Sequence, residues 1–277
     1  MHRLFLLRAY GDFVILLQAL LESPQKNKYS LIASKHLEPL YQELALVIDL
    51  SSIQIKFIDF GISNTQLSLF TNKHLLSLNT IKELIQKEVE AINNIPIDYS
   101  FGLAVDRIRN KVHSLAPCGK VILSGMGKAG QVANNIATTF CSTGTPAIYL
   151  HPSEAQHGDL GIIQRNDILI LLSNSGETRE ILELIQLSQN LHKSISIISI
   201  TGKKESSLAK KSDIILHTGD CEEICPLGLT PTISTTLMTV IGDILVVELM
   251  KKIKFSKQDY AKRHHSGYLG KITKGYL

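Results

Sequence analysis

Ser173-Asn174-Ser175-Gly176-Glu177-Thr178 follows directly on the apolar run Asp167-Ile-Leu-Ile-Leu-Leu172 and precedes an apolar-periodic stretch that begins at Ile181. That order predicts a buried strand, a hydroxyl-rich loop and a helix. Such a loop offers the hydroxyls of Ser173, Ser175 and Thr178, together with backbone N–H groups, at a helix N-terminus whose dipole favours an anion. Gly176 lets the backbone approach a ligand closely. Phosphate is the ligand this chemistry suits. The same residue types also build ordinary strand-to-helix turns, so the surrounding pattern decides what the loop is for.

A second loop, Gly125-Met-Gly127-Lys128-Ala-Gly130, also follows a strand-like run and opens a helix. Its spacing satisfies a dinucleotide-binding fingerprint, but that chemistry needs an acid at the end of the next strand to hold a ribose. The sequence there reads Leu150-His151-Pro152, with no acid before Glu154. Lys128 inside the turn instead suits a phosphate or a sugar oxyanion.

The elements that must position these loops alternate. Strand patterns at 120–124, 146–150, 167–172, 194–200 and 212–216 are separated by helix patterns near 130–142, 180–191 and 206–210, and a long helix follows at 232–250. Continuously apolar strands between helices imply a parallel sheet buried on both faces, with ligands at the carboxyl ends of its strands. The loops at 125–130, 173–178 and 202–205 all fall on that edge. Two further helix patterns, 81–92 and 101–115, precede the sheet and are expected to cover it or to make an oligomer contact. Residues 1–75 read as a separate small α/β appendage, with strand-like runs at 3–7, 29–33 and 53–60 and a helix at 11–22. Its first strand and turn resemble the opening of heptosyltransferase-type glycosyltransferases, but the chain is too short to hold the rest of such an enzyme.

The 277 residues carry a net charge of +4, 44% hydrophobic and 19% charged residues, and no Trp. The basic residues are scattered apart from 251–257, at the end of an apolar helix where cations suit the dipole. No nucleic-acid partner is therefore expected. Cys118, Cys141, Cys221 and Cys225 form no zinc-spaced pairs and are expected to be reduced. The apolar run 4–21 is broken by Arg8 and Asp12, and the run 237–250 carries Asp243 and Glu248, is too short to span a bilayer and is therefore expected to be a buried helix. A cytoplasmic protein with no membrane partner is expected.

Several motifs recur in order: Gly125-Met-Gly-Lys-Ala-Gly130, Ser142-Thr-Gly-Thr-Pro146, Glu154-Ala-Gln-His-Gly-Asp-Leu-Gly161, Ser173-Asn-Ser-Gly-Glu177, Glu205-Ser-Ser207 and Cys225-Pro-Leu-Gly-Leu-Thr-Pro231. Together they resemble the sugar isomerase (SIS) domain of the KpsF/GutQ-type arabinose-5-phosphate isomerases, from about residue 80 to 272. The resemblance implies a flavodoxin-like three-layer sandwich with a five-stranded parallel sheet over residues 76–277. It also implies reversible interconversion of ribulose 5-phosphate and arabinose 5-phosphate, supplying Kdo for lipopolysaccharide or capsule. Such a reaction moves a proton between C1 and C2 through an enediol, so it needs a base and a donor for the developing oxyanion.

The resemblance assigns catalysis to Lys128, Glu180, Glu223 and His264. Glu223 is the preferred base and Glu222 its competitor. His264 assists ring opening or proton shuttling. Gly127, Ser173, Asn174, Ser175, Gly176, Thr178 and His157 are the implied substrate-binding residues. No cofactor and no metal site are implied, although His151 and His157 flank Glu154 and Asp159. Family histidines at the position of His264 enter a neighbouring subunit's pocket, which implies a homo-oligomer, a tetramer, with shared sites.

Three departures matter. His264-His265-Ser266-Gly267 stands where the family reads His-Pro-Gly-Gly, which loosens the turn and makes His265 a possible substitute. The paired CBS domains that commonly follow are not expected here, nor is regulation through them. The 1–75 segment stands where the family has a short N-terminus. Two alternatives remain from the sequence: a non-catalytic SIS module that senses phosphosugars, and an isomerase of another sugar phosphate.

Overall fold

In a computed structural model of the chain, residues 2–6, 29–45, 54–58, 78–114 and 116–276 are described. The chain divides into two compact units, Met1–Lys82 and Glu83–Leu277. In the first unit, β1 (His2–Leu6), β2 (Tyr29–Ser34) and β3 (Gln54–Ile58) form a parallel sheet in the order β1-β2-β3. His2 stands opposite Tyr29, and Ser30 opposite Gln54. Helix α1 (Glu38–Ala45) follows β2. The helix expected at 11–22 lies outside the described residues.

The second unit opens at Glu83, inside α2 (Leu78–Asn93), and continues into α3 (Ser100–Ile108). The single helix expected over 101–115 is α-helical only to Ile108, and Arg109–Ser114 widen into a π-helical turn. The wider turn keeps Ile108 and Val112, both buried, on the core side. Five parallel strands then follow: β4 (Val121–Gly125), β5 (Ala147–Tyr149), β6 (Ile168–Leu172), β7 (Ser196–Thr201) and β8 (Ile214–His217). Their order is β5-β4-β6-β7-β8, and each differs from its expected range by at most two residues at either end.

Alternation along the strands splits the core into two layers. Ile168, Ile170 and Leu172 pack on one side with Phe140 of α4 (Gly127–Ser142), Ile108 of α3, and Leu237, Ile241 and Leu245 of α8 (Ile233–Lys252). Leu169 and Leu171 pack on the other side with Ile181, Leu184 and Ile185 of α6 (Arg179–Leu191), Ala155 of α5 (Pro152–Ala155) and Leu208 of α7 (Ser207–Lys210). Helix–sheet–helix is the three-layer sandwich expected of continuously apolar strands. Two short helices, α9 (Lys257–Ala261) and α10 (Gly267–Thr273), complete the unit.

One expectation about α8 is corrected. The run is not too short to span a bilayer: α8 has 20 residues, and its most apolar 18-residue window has a mean hydropathy of 1.7. Half of that window is buried inside the fold, and Leu237, Met238, Ile241, Leu245 and Leu249 are core residues. Packing against the sheet, not length, accounts for its apolar character.

Candidate functional site

The sheet order dictates where a crevice forms. From β4 the chain crosses to β5 on one side, and β6 lies on the other, so the connections after β4 and β6 diverge at their carboxyl ends. A cavity of about 370 Å³ lies there. Met126 and Lys128 wall it from the turn into α4, and Ser173, Asn174, Ser175 and Thr178 from the loop after β6. Glu223 and Leu229 contribute from the segment after β8, and Ser234, Thr235 and Met238 from the start of α8.

The turns around the cavity are tight. A Cβ on Gly130 would lie 2.4 Å from the Gly125 oxygen, so only glycine lets α4 start this close to β4. Gly127, the first residue of α4, has φ +56° and sets the direction of Lys128. Gly176 has φ +67°, and a Cβ there would lie 2.1 Å from Ser206 Oγ. The hydroxyl-rich loop is braced from within and from behind. Ser173 Oγ and Thr178 Oγ1 are hydrogen-bonded at 2.7 Å, and Gly176 N–H donates to Ser173 Oγ at 3.1 Å. Glu177 accepts from the N–H and the hydroxyl of Ser207, both at 2.7 Å, which ties the loop to α7. These bonds hold the Glu177 carboxyl below the usual carboxylate range.

Two sources of positive potential face this cavity. Thr178 is the N-cap residue of α6, so unpaired N–H groups of that helix lie beside the loop. Lys128 sits in the first turn of α4, where the helix dipole disfavours a cation, and it forms no ion pair among the described residues. A cation kept at the wrong end of a dipole beside a polar crevice suits an anionic ligand.

Glu223 is fixed differently. Its Oε2 accepts the Thr232 N–H at 2.6 Å, the Thr232 hydroxyl at 2.8 Å and the Ser234 N–H at 3.4 Å. Burial pushes the Glu223 carboxyl up, but the bonds from Ser234 and Thr232 outweigh it, and the net effect is a carboxyl below its ordinary range. The segment between them turns on Cys225, whose Sγ accepts the N–H groups of Leu229 at 3.2 Å and Thr230 at 3.1 Å. The Thr230 bond foremost lowers that thiol to about 7.

The cavity thus brings together Lys128, Ser173, Asn174, Ser175, Thr178 and Glu223, with Gly127 and Gly176 in its turns. It does not gather the other expected residues within one chain. Glu180, half-buried in the first turn of α6, is not in its wall, nor is exposed His157. His264 lines a separate cavity of about 420 Å³ with Asn134, Cys141, Tyr149 and Arg263. There it stacks on Tyr260 at 3.7 Å, with Nδ1 3.1 Å from the Tyr260 oxygen. His265 is exposed, with Nε2 2.9 Å from the Lys262 oxygen. The altered turn is a helix start: Ser266 is the N-cap residue of α10 and Gly267 has φ +67°. All four cysteines are free thiols. Among the described residues no group of three or more His, Cys, Asp or Glu could hold a metal ion.

Sequence reasoning missed Thr232 and Ser234. The hydroxyl residue ahead of an apolar helix was a visible N-cap signal. Its partner, a glutamate in the preceding loop, was not.

A crevice at the switch point of a parallel sheet, walled by a hydroxyl-rich helix-start loop and a lysine outside any ion pair among the described residues, defines an α/β protein built to hold an anionic ligand. The chain belongs to the SIS domain family, whose sequence profile matches residues 114–248. A proposed phosphosugar isomerase of Bacteroides fragilis involved in capsule formation is 57% identical, covers 69% of this chain and 98% of its own, and superposes with a TM-score of 0.67. A protein of Escherichia coli CFT073, solved in complex with arabinose 5-phosphate, is 32% identical over 73% of this chain and 98% of its own, with a TM-score of 0.61. The arabinose 5-phosphate isomerase KdsD of Shigella flexneri is 48% identical over 153 residues, which are 55% of this chain and 46% of that protein. The chain spans about half the length of the curated relatives it matches.

Proposed function

We propose that the chain is an aldose–ketose isomerase that interconverts ribulose 5-phosphate and arabinose 5-phosphate, a cytoplasmic supply step for Kdo in lipopolysaccharide or capsule. One observation carries the reading: Lys128, Glu223 and the hydroxyl-rich loop wall a single cavity. Relatives named arabinose 5-phosphate isomerase and a neighbour solved with that sugar phosphate support the substrate. The Ser173–Thr178 loop and the N-terminus of α6 hold the phosphate, which directs the sugar toward Lys128 and Glu223. Glu223 takes a proton from one of C1 and C2 and returns it to the other through an enediol, the hydroxyl proton of one of the two oxygens passes to the other, and Lys128 stabilises the developing oxyanion. The proton stays within the substrate–enzyme pair, so the reaction needs no redox cofactor. Glu180 and His264 complete the set. His264 lies in another cavity of its own chain, so it serves a neighbouring subunit's site in a homo-oligomer, a tetramer. Residues 76–277 form the isomerase module, and residues 1–75 are an appendage to it.

The test is the purified chain with arabinose 5-phosphate, followed for ribulose 5-phosphate. Glu223→Gln should lower turnover about 10²-fold or more with substrate binding retained, and Glu222→Gln should be nearly silent. Reversed results would move the base to Glu222. No ketose from the unaltered chain would sink the activity.

A further inference from the structure

Helix α8 begins without a side-chain cap of its own: Thr232 is its N-cap residue, yet the hydroxyl makes no capping bond to the helix. The cap comes instead from Glu223, on the preceding loop, whose Oε2 accepts from the Thr232 N–H, the Thr232 hydroxyl and the Ser234 N–H. Oε1 accepts none of these bonds, and Glu223 is part of the cavity wall. The Ser234 side chain also acts on this carboxylate, but the bonds from Thr232 and the Ser234 N–H all fall on Oε2, which commits that oxygen to the helix start.

We propose that Thr232 is the positioning residue of the reaction: its N–H and hydroxyl pin Glu223 Oε2 to the start of α8 and thereby present Oε1 as the atom that moves the proton. This rests on Glu223 being the base. Without the pin, Glu223 sits on a loop whose neighbours Glu222 and Pro226 are exposed, free to swing between the cavity and solvent. The hydroxyl also accepts the Ile224 N–H at 3.2 Å, so one side chain fixes both the carboxylate and the backbone beside it. The titratable groups that face Glu223 are Lys128 of α4, across the cavity, and Cys221 on its own loop. Burial pushes the Cys221 thiol up, and the Glu223 charge adds to that, so it stays neutral where Glu223 titrates. From α8 and the loop after β6, the facing groups are hydroxyls and an amide: Ser234, Thr235, Ser173 and Asn174.

The experiment compares Thr232→Val, which removes the hydroxyl at nearly constant volume, with Thr232→Ser, which keeps it. Turnover and the Michaelis constant are measured with arabinose 5-phosphate. The carbon-13 signal of the Glu223 carboxyl, assigned by its loss in Glu223→Gln, is titrated in the free protein. Thr232→Val should lower kcat about tenfold or more with KM within about threefold, and should raise the midpoint. Thr232→Ser should restore both, which relief of a purely structural defect would not tie together. Unchanged kcat and midpoint in Thr232→Val overturn the proposal. If that variant does not fold, Thr232→Ala takes its place, with the same two readouts: a lower kcat with a raised midpoint supports the pin, and no change in either overturns it. Full activity in Glu223→Gln would sink the base assignment itself. An inactive Glu223→Gln beside an unaffected Thr232→Val would sink only the role of Thr232.

Discussion

The hydroxyls of the loop after β6 divide their work. Ser173 is buried, with its oxygen bonded to Thr178 and to the Gly176 N–H, so it shapes the loop. Ser175 is exposed on the cavity side, and among the described residues its oxygen accepts the Glu177 N–H alone, at 3.2 Å. Thr178 holds the N-cap position of α6 without a side-chain capping bond, and can turn its hydroxyl from Ser173 to a bound anion. A hydrogen bond to a charged group contributes about 1.5–3 kcal/mol, so losing two should weaken binding well over tenfold. Ser175→Ala combined with Thr178→Ala is therefore expected to raise KM by at least about tenfold with the far-UV circular dichroism unchanged. A wild-type KM in that double variant would remove the loop from phosphate binding.

Between elements, buried charge locks the strands that carry the site. Asp167, just ahead of β6, is 1% exposed. It accepts the Lys120 N–H at 2.9 Å, the Lys120 ammonium at 2.6 Å and the Gln164 N–H at 2.7 Å. Lys120 immediately precedes β4, so one carboxylate sets the register of β4 against β6, and with it the distance between the two loops at their far ends. Removing one partner of such a pair strands a charge and two N–H groups. Asp167→Ala should cost about 3 kcal/mol, read as a lower urea midpoint at constant slope. A loss under about 1 kcal/mol would show that the sheet holds its register without it. Glu177 plays the matching part behind the loop, through Ser207. Its carboxyl is lowered in the fold, so its contribution is present above the unfolded value of about 4.3 and fades as pH falls through the lower folded one.

At the scale of the whole molecule, the separation of His264 from Lys128 is the feature with most consequence. The two line different cavities of one chain. If His264 completes a neighbour's site, Lys128→Ala and His264→Ala proteins should each be inactive alone. Mixed and reassociated, they should regain part of the activity, because some sites would then combine an intact lysine with an intact histidine. A self-contained site gives no recovery. His265→Ala should be mild in the same assay, since His265 bonds back to its own chain at Lys262. An inactive His265→Ala beside an active His264→Ala would reassign the role.

Local pattern alone determined the strands of the second sheet, because runs such as Ile-Leu-Ile-Leu-Leu at 168–172 must be buried on both faces and can be little else. It also placed the two loops at one edge, since parallel connections return every strand's carboxyl end to the same side. The helix after β8 was visible too, and so was its burial; which residues pack against the sheet, Leu237, Ile241 and Leu245 among them, is a property of the fold. Tertiary structure alone decided which residues meet. Glu223 and Thr232 are nine positions apart with a turn between them, and no periodicity links them; only the folded turn around Cys225 brings carboxylate and helix start into contact. His264 likewise carried a motif in the sequence, and its stacking on Tyr260, four residues back, is a local contact; its distinct cavity, walled also by Ala147 and Tyr149 of β5, is a product of the fold. A motif names the side chains; long-range packing sets the distances at which they can act.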